Sequence, residues 1–492
     1  MQKIGLLVAL GGAVLALSAM ATPGNDTIVF IPGKQAKAGS LIEIPDRPNP
    51  GGDAAVIDLL IVYTPRFQAD LNAEDRDIVS FAEGVVAEVN RFMRNSRLAT
   101  RIELVGLALW NRSGDYDIRS DLEALPAFVE TQTSLRAETG ADLVQLWERP
   151  AASLDEPGLC GWGQVMSPSR VIATSGYGYS AGLRGTIGSD FESCYADRGP
   201  EDFAILAAHE IGHNLGSTHG WDDVEGQGAF EFSRGAYCGE EFRGYQPGTL
   251  MSSSPWRLPF FSNPQIGNDG EACGRALGLD FPANNFETFS RTASHIGNLR
   301  HRPEGRGEVS LSAPASVAEL SPWLPLTLAR SDSSQAASVE LLTTGRSARL
   351  NLDFLAPASQ RIYFAAGQST ALVPIDLIAS SLLEADEHLS FWLQRGYNVK
   401  IGAQRSATVR IRDNALPNLD EILPPRPTLT SAADLPGYAV SPTAAVPASG
   451  ATGTGALAPW LLLIAAARWR RTGRRTAPCV PAPRPTGPDA GI

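Results

Sequence analysis

Histidine is scarce in this chain, with six in 492 residues. Cysteine is scarcer still at five, and no pair has CxxC spacing, which argues against a zinc site built on paired thiolates. Basic residues are outnumbered, 41 Lys and Arg against 53 Asp and Glu, giving a net charge of −12. Phosphate contacts need clustered cations on the folded body, so general nucleic-acid binding is disfavoured. Long apolar runs occur only at the two ends. What remains, 43% hydrophobic and 19% charged, is ordinary globular composition with material for two or three domains.

The first residues combine Lys3, an apolar run from Ile4 to Leu17 and the small-x-small triplet Ala19-Met20-Ala21, which predicts a signal peptide over 1–21 and export. A buried or membrane-anchoring helix is the alternative. Residues 22–54, rich in proline, read as a leader or pro-segment. Four cysteines, Cys160, Cys194, Cys238 and Cys273, fall in one region, while Cys479 stands alone. Four allow three pairings. The expected bridges are Cys160–Cys194 before the histidine-rich segment and Cys238–Cys273 after it.

From Ala55 the chain alternates between strand-like and helix-like stretches. "AVIDLLIVYTP" reads as a buried strand, "AEDRDIVSFAEGVVAEVNRFM" as a helix, "TRIELVGLALW" and "ADLVQLW" as strands, with "SDLEALPAFVETQTSL" a helix between them. That order predicts an α/β layer arrangement. "GYGYSAG" at 176–182 reads as a short edge strand. From about Gly307 to Asn414 short alternating runs replace helices and predict a separate all-β sandwich. Residues 414–454, rich in Pro, Ala, Ser, Thr and Gly, predict a disordered linker.

Three of the six histidines fall in "HEIGHNLGSTH", residues 209–219. Independent placement would give such spacing roughly once in 10⁴ chains of this length, so chance is a poor explanation. Pro200, Glu201 and Asp202 start a helix on which His209 and His213 are one turn apart on one face. Gly216 can end it in a left-handed conformation and turn His219 back as a third ligand. Three neutral imidazoles leave zinc an open position for water, and Glu210 is placed to accept that water's proton. Together these residues predict hydrolysis. Surface histidines with a helix-forming glutamate are the bland alternative.

The pattern HExxHxxGxxH resembles the metzincin zinc endopeptidases. "GTLMSSSPW" then supplies the methionine turn, and the resemblance implies that Met251 lies beneath the metal. "LCGWGQV", "PFFSNPQIG" and "ANNFETFSRTASHIGNLR" look like the reprolysin-like secreted bacterial type over residues 55–303. The implied fold is a mixed twisted sheet with an active-site helix. A substrate peptide would lie along the edge strand, here "GYGYSAG", with the segment after Met251 shaping the primed-side pocket. Two features depart from the pattern. Gly220 replaces the usual Asp after the third histidine and is followed by Trp221, Asp222 and Asp223, leaving the support of His219 open. Ser253 stands where some relatives carry tyrosine. No cysteine precedes Cys160 in the mature chain, so a thiolate pro-segment cannot cap the metal, while Asp53 could do so as a carboxylate does in astacin-like relatives.

Residues 308–413 resemble the Calx-beta sandwich, which implies calcium candidates at Glu319, Asp353, Glu384, Asp386 and Asp413; a sandwich without calcium, structural or substrate-docking, is the alternative. Residues 455–475 pair a short apolar helix of ~20 Å with an arginine cluster, too short alone for a ~30 Å hydrocarbon core. They look like a GlyGly-type C-terminal sorting tag, followed by a tail over 476–492. The tag implies transient membrane anchoring, a sorting protease, and an extracellular or cell-surface product. The whole reads as a secreted zinc metalloendopeptidase acting on proteins or peptides. Its rivals are a catalytically weak zinc-containing adhesion protein and a hydrolase of non-peptide amides.

Overall fold

The structure, a computed structural model, describes residues 55–112, 118–148, 160–166, 178–183, 200–223, 228–241, 245–254, 256–356, 359–413 and 426–431. The expected signal peptide, leader with Asp53, Cys194, membrane helix and tail with Cys479 lie outside them.

In the first part, β1 (Val56–Tyr63), β2 (Arg101–Leu109), β3 (Leu143–Glu148), β4 (Gly161–Gly163) and β5 (Tyr179–Leu183) form one mixed sheet in the order β2-β1-β3-β5-β4. All pairings are parallel except β4 with β5. Both faces of β1 are covered, which is why its sequence is apolar without alternation. Ile57, Leu59, Ile61 and Tyr63 share a core with helices α2 (Ile78–Asn95), α5 (Pro200–Asn214) and α6 (Asn285–Ile296). Leu60 and Val62 face the opposite core with α3 (Ile118–Pro126), a π-helical turn at Ala127–Gln132, and α4 (Leu135–Thr139).

Asp77 caps α2 by accepting from the Ser80 N–H at 2.9 Å. An aromatic cluster then fixes α5. Phe67 on α1 (Pro65–Ala73), Phe81 on α2, Trp147 on β3 and Phe203 on α5 meet with ring centroids 5.0–5.9 Å apart. Two short strands, β6 (Gly267–Asn268) and β7 (Glu271–Ala272), form a hairpin beside the disulfide Cys238–Cys273, whose Cα atoms are 4.9 Å apart. Cys160 is also disulfide-bonded.

The expectation that "GYGYSAG" forms the sheet edge is corrected. β5 is covered by β4, with Trp162 opposite Ala181, so among the described residues Gly161–Gly163 is the outer strand. Three residues are too few for any periodicity to announce a strand.

The β-rich second part holds β8 (Gly305–Ser312), β9 (Ser316–Ala318), β10 (Trp323–Arg330), β11 (Ala337–Gly345), β12 (Phe354–Leu355), β13 (Ser359–Phe364), β14 (Thr370–Leu377), β15 (Glu387–Ile401) and β16 (Ser406–Arg412). Its long strand β15 serves both layers. Near Glu387–Gln394 it pairs antiparallel with β11 and β16, and at Asn398–Ile401 it runs parallel to β8. Arg395 and Asn398, both at positive φ, mark where it changes layer.

This sandwich is not separate from the first part. Leu342 and Trp392 are buried in the same core as α2 and α5. The Gln394 amide accepts from the Leu107 N–H at 2.7 Å and donates to the Leu107 carbonyl at 3.0 Å, completing the outer edge of β2. Glu138 accepts from Arg395 at 2.6 Å and from Arg361 at 3.2 Å. Residues 426–431, inside the expected linker, lie along the sandwich: Leu429 packs on its core and Arg426 pairs with Asp376. Among the described residues no helix is long and apolar enough to cross a membrane.

Candidate metal centre

Helix α5 begins at Pro200 with Glu201 and Asp202 in its first turn, as the sequence predicts. Its end follows from one glycine. Gly216 has φ 96°, the Gly216 N–H bonds the His213 carbonyl, and the Ser217 N–H bonds the Gly212 carbonyl, each at 2.9 Å. This paired closure is the usual way a glycine reverses a chain leaving a helix. A side chain there would be strained by φ and would also meet Ala229, whose Cβ lies 2.7 Å from where a new one would sit. The reversal returns the chain across the helix face and brings His219 to His209 and His213.

The three rings converge, with centroids 4.8, 5.1 and 5.0 Å apart and the Nε2 atoms of His209 and His219 at 3.1 Å. All three are buried. Each Nδ1 is engaged elsewhere: His209 with the Leu250 carbonyl at 2.7 Å and, beside it, the Arg257 guanidinium at 2.5 Å, His213 with the Ser217 carbonyl at 3.0 Å, and His219 with Asp223 Oδ2 at 2.6 Å; the carbonyl at Leu250 makes Nδ1 the donating nitrogen of His209. A neutral imidazole that donates from Nδ1 carries its lone pair on Nε2. Burial, with smaller effects from Arg257 and the neighbouring imidazoles, holds His209 far below the ordinary histidine range. Burial and then His219 lower His213 to about 3. Two rings are thus neutral at neutral pH, and all three have the outer partner that orients a metal-bound histidine. The donor set fits zinc in a three-histidine site with room for a further ligand.

Asp223 resolves the departure noted at Gly220. The residue after the third histidine offers no carboxylate, but a turn returns Asp223 to the same ring, four positions on. The signal was in the sequence as a carboxylate pair, Asp222-Asp223, without a way to choose between them.

Met251 is fully buried under α5 at Gly212, where an added Cβ would sit 2.4 Å from its Sδ. Leu250, its neighbour, supplies the carbonyl that orients His209. The methionine turn therefore acts on the histidines through its backbone as well as its side chain. Glu210 is almost wholly buried and faces β4. A Cβ at Gly161 would lie 2.0 Å from Glu210 Oε1, and one at Gly163 would lie 2.9 Å from Oε2. The motif "GWG" is therefore a fitting surface for that carboxylate, a role not evident from the sequence.

The five calcium candidates do not assemble as one group. Asp353 and Glu384 come together with Glu387, which was not among them. Asp386 instead accepts from the Asp413 N–H at 3.2 Å and lies 3.5 Å from Arg410, while Glu319 accepts from the Ser380 N–H at 2.6 Å. Burial first, then Asp353 and Glu384, raise the Glu387 carboxyl to about 7.

Residues 81–220 match the family model for reprolysin-like metallo-peptidases of family M12B. Comparison with curated proteins gave no match. Among solved structures, one chain from a chaperone–substrate complex is 20% identical over 51% of this chain and 36% of its own, with a TM-score of 0.36. The apo form of the Calx CBD1 domain is 26% identical over 22% of this chain and 99% of its own, and CBD12 from CALX1.2 is 25% identical over 22% and 45%, each with a TM-score of 0.21. This chain thus spans about a third of the first structure and under half of CBD12. The protein joins a mixed α/β part, which matches the family model for reprolysin-like metallo-peptidases over residues 81–220, to a β-rich part.

Proposed function

We propose that this protein is a secreted zinc-dependent endopeptidase in which His209, His213 and His219 hold the metal and Glu210 is the general base. One observation carries the reading: three buried imidazoles converge with every Nδ1 engaged by an oxygen, leaving three Nε2 atoms for one ion beside a buried carboxylate. Zinc held there would supply Lewis-acid polarisation of the scissile carbonyl and of the attacking water. Glu210 is the group placed to take a proton from water at the centre and to deliver it to the leaving nitrogen. Gly161 and Gly163 keep the carboxylate at its station. Among the described residues β4 is the last strand of its sheet, and its far edge offers backbone groups to which an extended peptide can add as a strand.

Export and a surface-linked or released product are supported by the sequence of 1–21 and 455–475. For calcium in the sandwich, support narrows to Asp353 and Glu384 with Glu387. Glu210→Ala should retain about one zinc per chain and lose nearly all chelator-sensitive casein cleavage, measured on purified protein. Cleavage at the wild-type rate would refute the assigned base.

A further inference from the structure

Asn214 is the last residue of α5 and lies one turn beyond Glu210, on the same face of the helix. It is fully buried. Asparagine is a weak helix former because its amide competes for backbone groups, so a buried one here calls for partners that the helix does not supply. The sheet supplies them. Nδ2 donates to the Gln164 carbonyl and to the Tyr179 carbonyl, each at 3.0 Å. Both acceptors are carbonyl oxygens, which only the NH2 end of the amide can serve.

Gln164 directly follows β4, and Tyr179 opens β5. The same Tyr179 carbonyl accepts from the Gln164 N–H at 3.1 Å, while the Gln164 side chain accepts from the Tyr179 N–H at 3.4 Å. The Asn214 amide therefore sits where the β4–β5 ladder ends and ties it to the helix. Two residues farther on, the Met166 N–H donates to the His213 carbonyl at 3.2 Å. Residues 161–166 thus run alongside α5, with Gly161 against Leu206 and Glu210, Gly163 against Glu210 and His213, and Gln164 against Asn214. Having no side chains, the two glycines permit close approach but cannot hold it. A pairing of three residues with β5 is also a short anchor.

We propose that Asn214 is a positioning residue that holds β4 against α5, and so sets the station of the Glu210 carboxylate and of a peptide added to the far edge of β4. This rests on the peptidase reading, in which Glu210 is the base, and adds the device that fixes its geometry. The three imidazoles take their Nδ1 partners from Leu250, Ser217 and Asp223, so metal binding does not depend on this amide.

The test compares purified full-length wild type, Asn214→Ala and Asn214→Ser, the serine keeping one donor should the alanine variant fail to fold. Zinc affinity in a chelator competition should stay within about twofold, whereas kcat on a peptide should fall about 10–100-fold, as expected when a reacting group is displaced by up to about 1 Å. Hydrogen exchange over residues 160–166 should quicken by at least about tenfold in the same variants. Combined with Gly161→Ala, which displaces Glu210 from the strand side, Asn214→Ala should cost less in kcat than it does alone, because both act through one contact. A role in stability alone would lower Tm and leave kcat of the folded protein within about twofold of wild type, and that result overturns the proposal. Unchanged exchange over residues 160–166, loss of zinc, or full additivity with Gly161→Ala overturns it as well. Absence of chelator-sensitive cleavage in wild type overturns the peptidase reading and the positioning role with it.

Discussion

Gln394→Ala is the sharpest test of how the two parts depend on each other. The side chain is 2% exposed and its amide serves both the N–H and the carbonyl of Leu107, a residue that is itself fully buried. Truncation leaves a donor and an acceptor that water cannot easily reach. Each orphaned buried group costs roughly 1–3 kcal/mol, so the pair should cost about 2–6 kcal/mol, less whatever a water entering the vacated space recovers. Because Trp392 and Leu342 lie in the core that holds α5, the loss should be felt by the whole unit. Chemical denaturation followed by tryptophan fluorescence and by residual proteolysis should show one shared transition in wild type, moved to lower denaturant in the variant for both signals. Two well-separated transitions in wild type would refute the shared core. A shift below about 0.5 kcal/mol would refute the energetic argument for Gln394, being no larger than an ordinary surface substitution.

Asp223→Ala removes the acceptor that orients His219, and zinc affinity should fall about 10–100-fold in a chelator competition; an unchanged affinity would show that the ring needs no such support. Gly161→Ala forces its methyl against Glu210 Oε1, 2.0 Å from the ideal Cβ position, so kcat should drop at least about tenfold with zinc content retained, and activity within twofold of wild type would contradict the fit. Glu387 holds its proton more tightly folded than unfolded, with its carboxyl raised from 4.5 to about 7. Its stabilising contribution is therefore complete below pH 4.5 and lost as pH rises through about 7. Glu387→Gln should melt like wild type near the low end of that window and higher than wild type at about pH 8; equal melting temperatures at both would remove the argument.

Local chemistry made much of the site legible in advance. Two histidines four apart on a helix must share a face, a glycine three residues later must allow a reversal, and a glutamate beside the first ligand must stay near the centre. Tyr63 and Trp147 could be placed in strands by pattern, but no pattern tells which strand lies outermost. Strand order depends on pairings across long stretches of chain, so β4 displaced the expected edge at β5. The same limit hid Asp223, because the choice between adjacent carboxylates is made by the turn at Gly220.

The sequence by itself determined which groups would approach a metal and that a β-rich part follows, since those properties reside in spacing over a few turns of backbone. Tertiary structure alone decided that Gly161 and Gly163 press on Glu210, that the Asp223 carboxylate reaches His219, and that Gln394 closes the edge of β2. Those contacts join residues distant along the chain or choose among near-equivalent neighbours, and only packing in three dimensions brings their atoms within bonding reach.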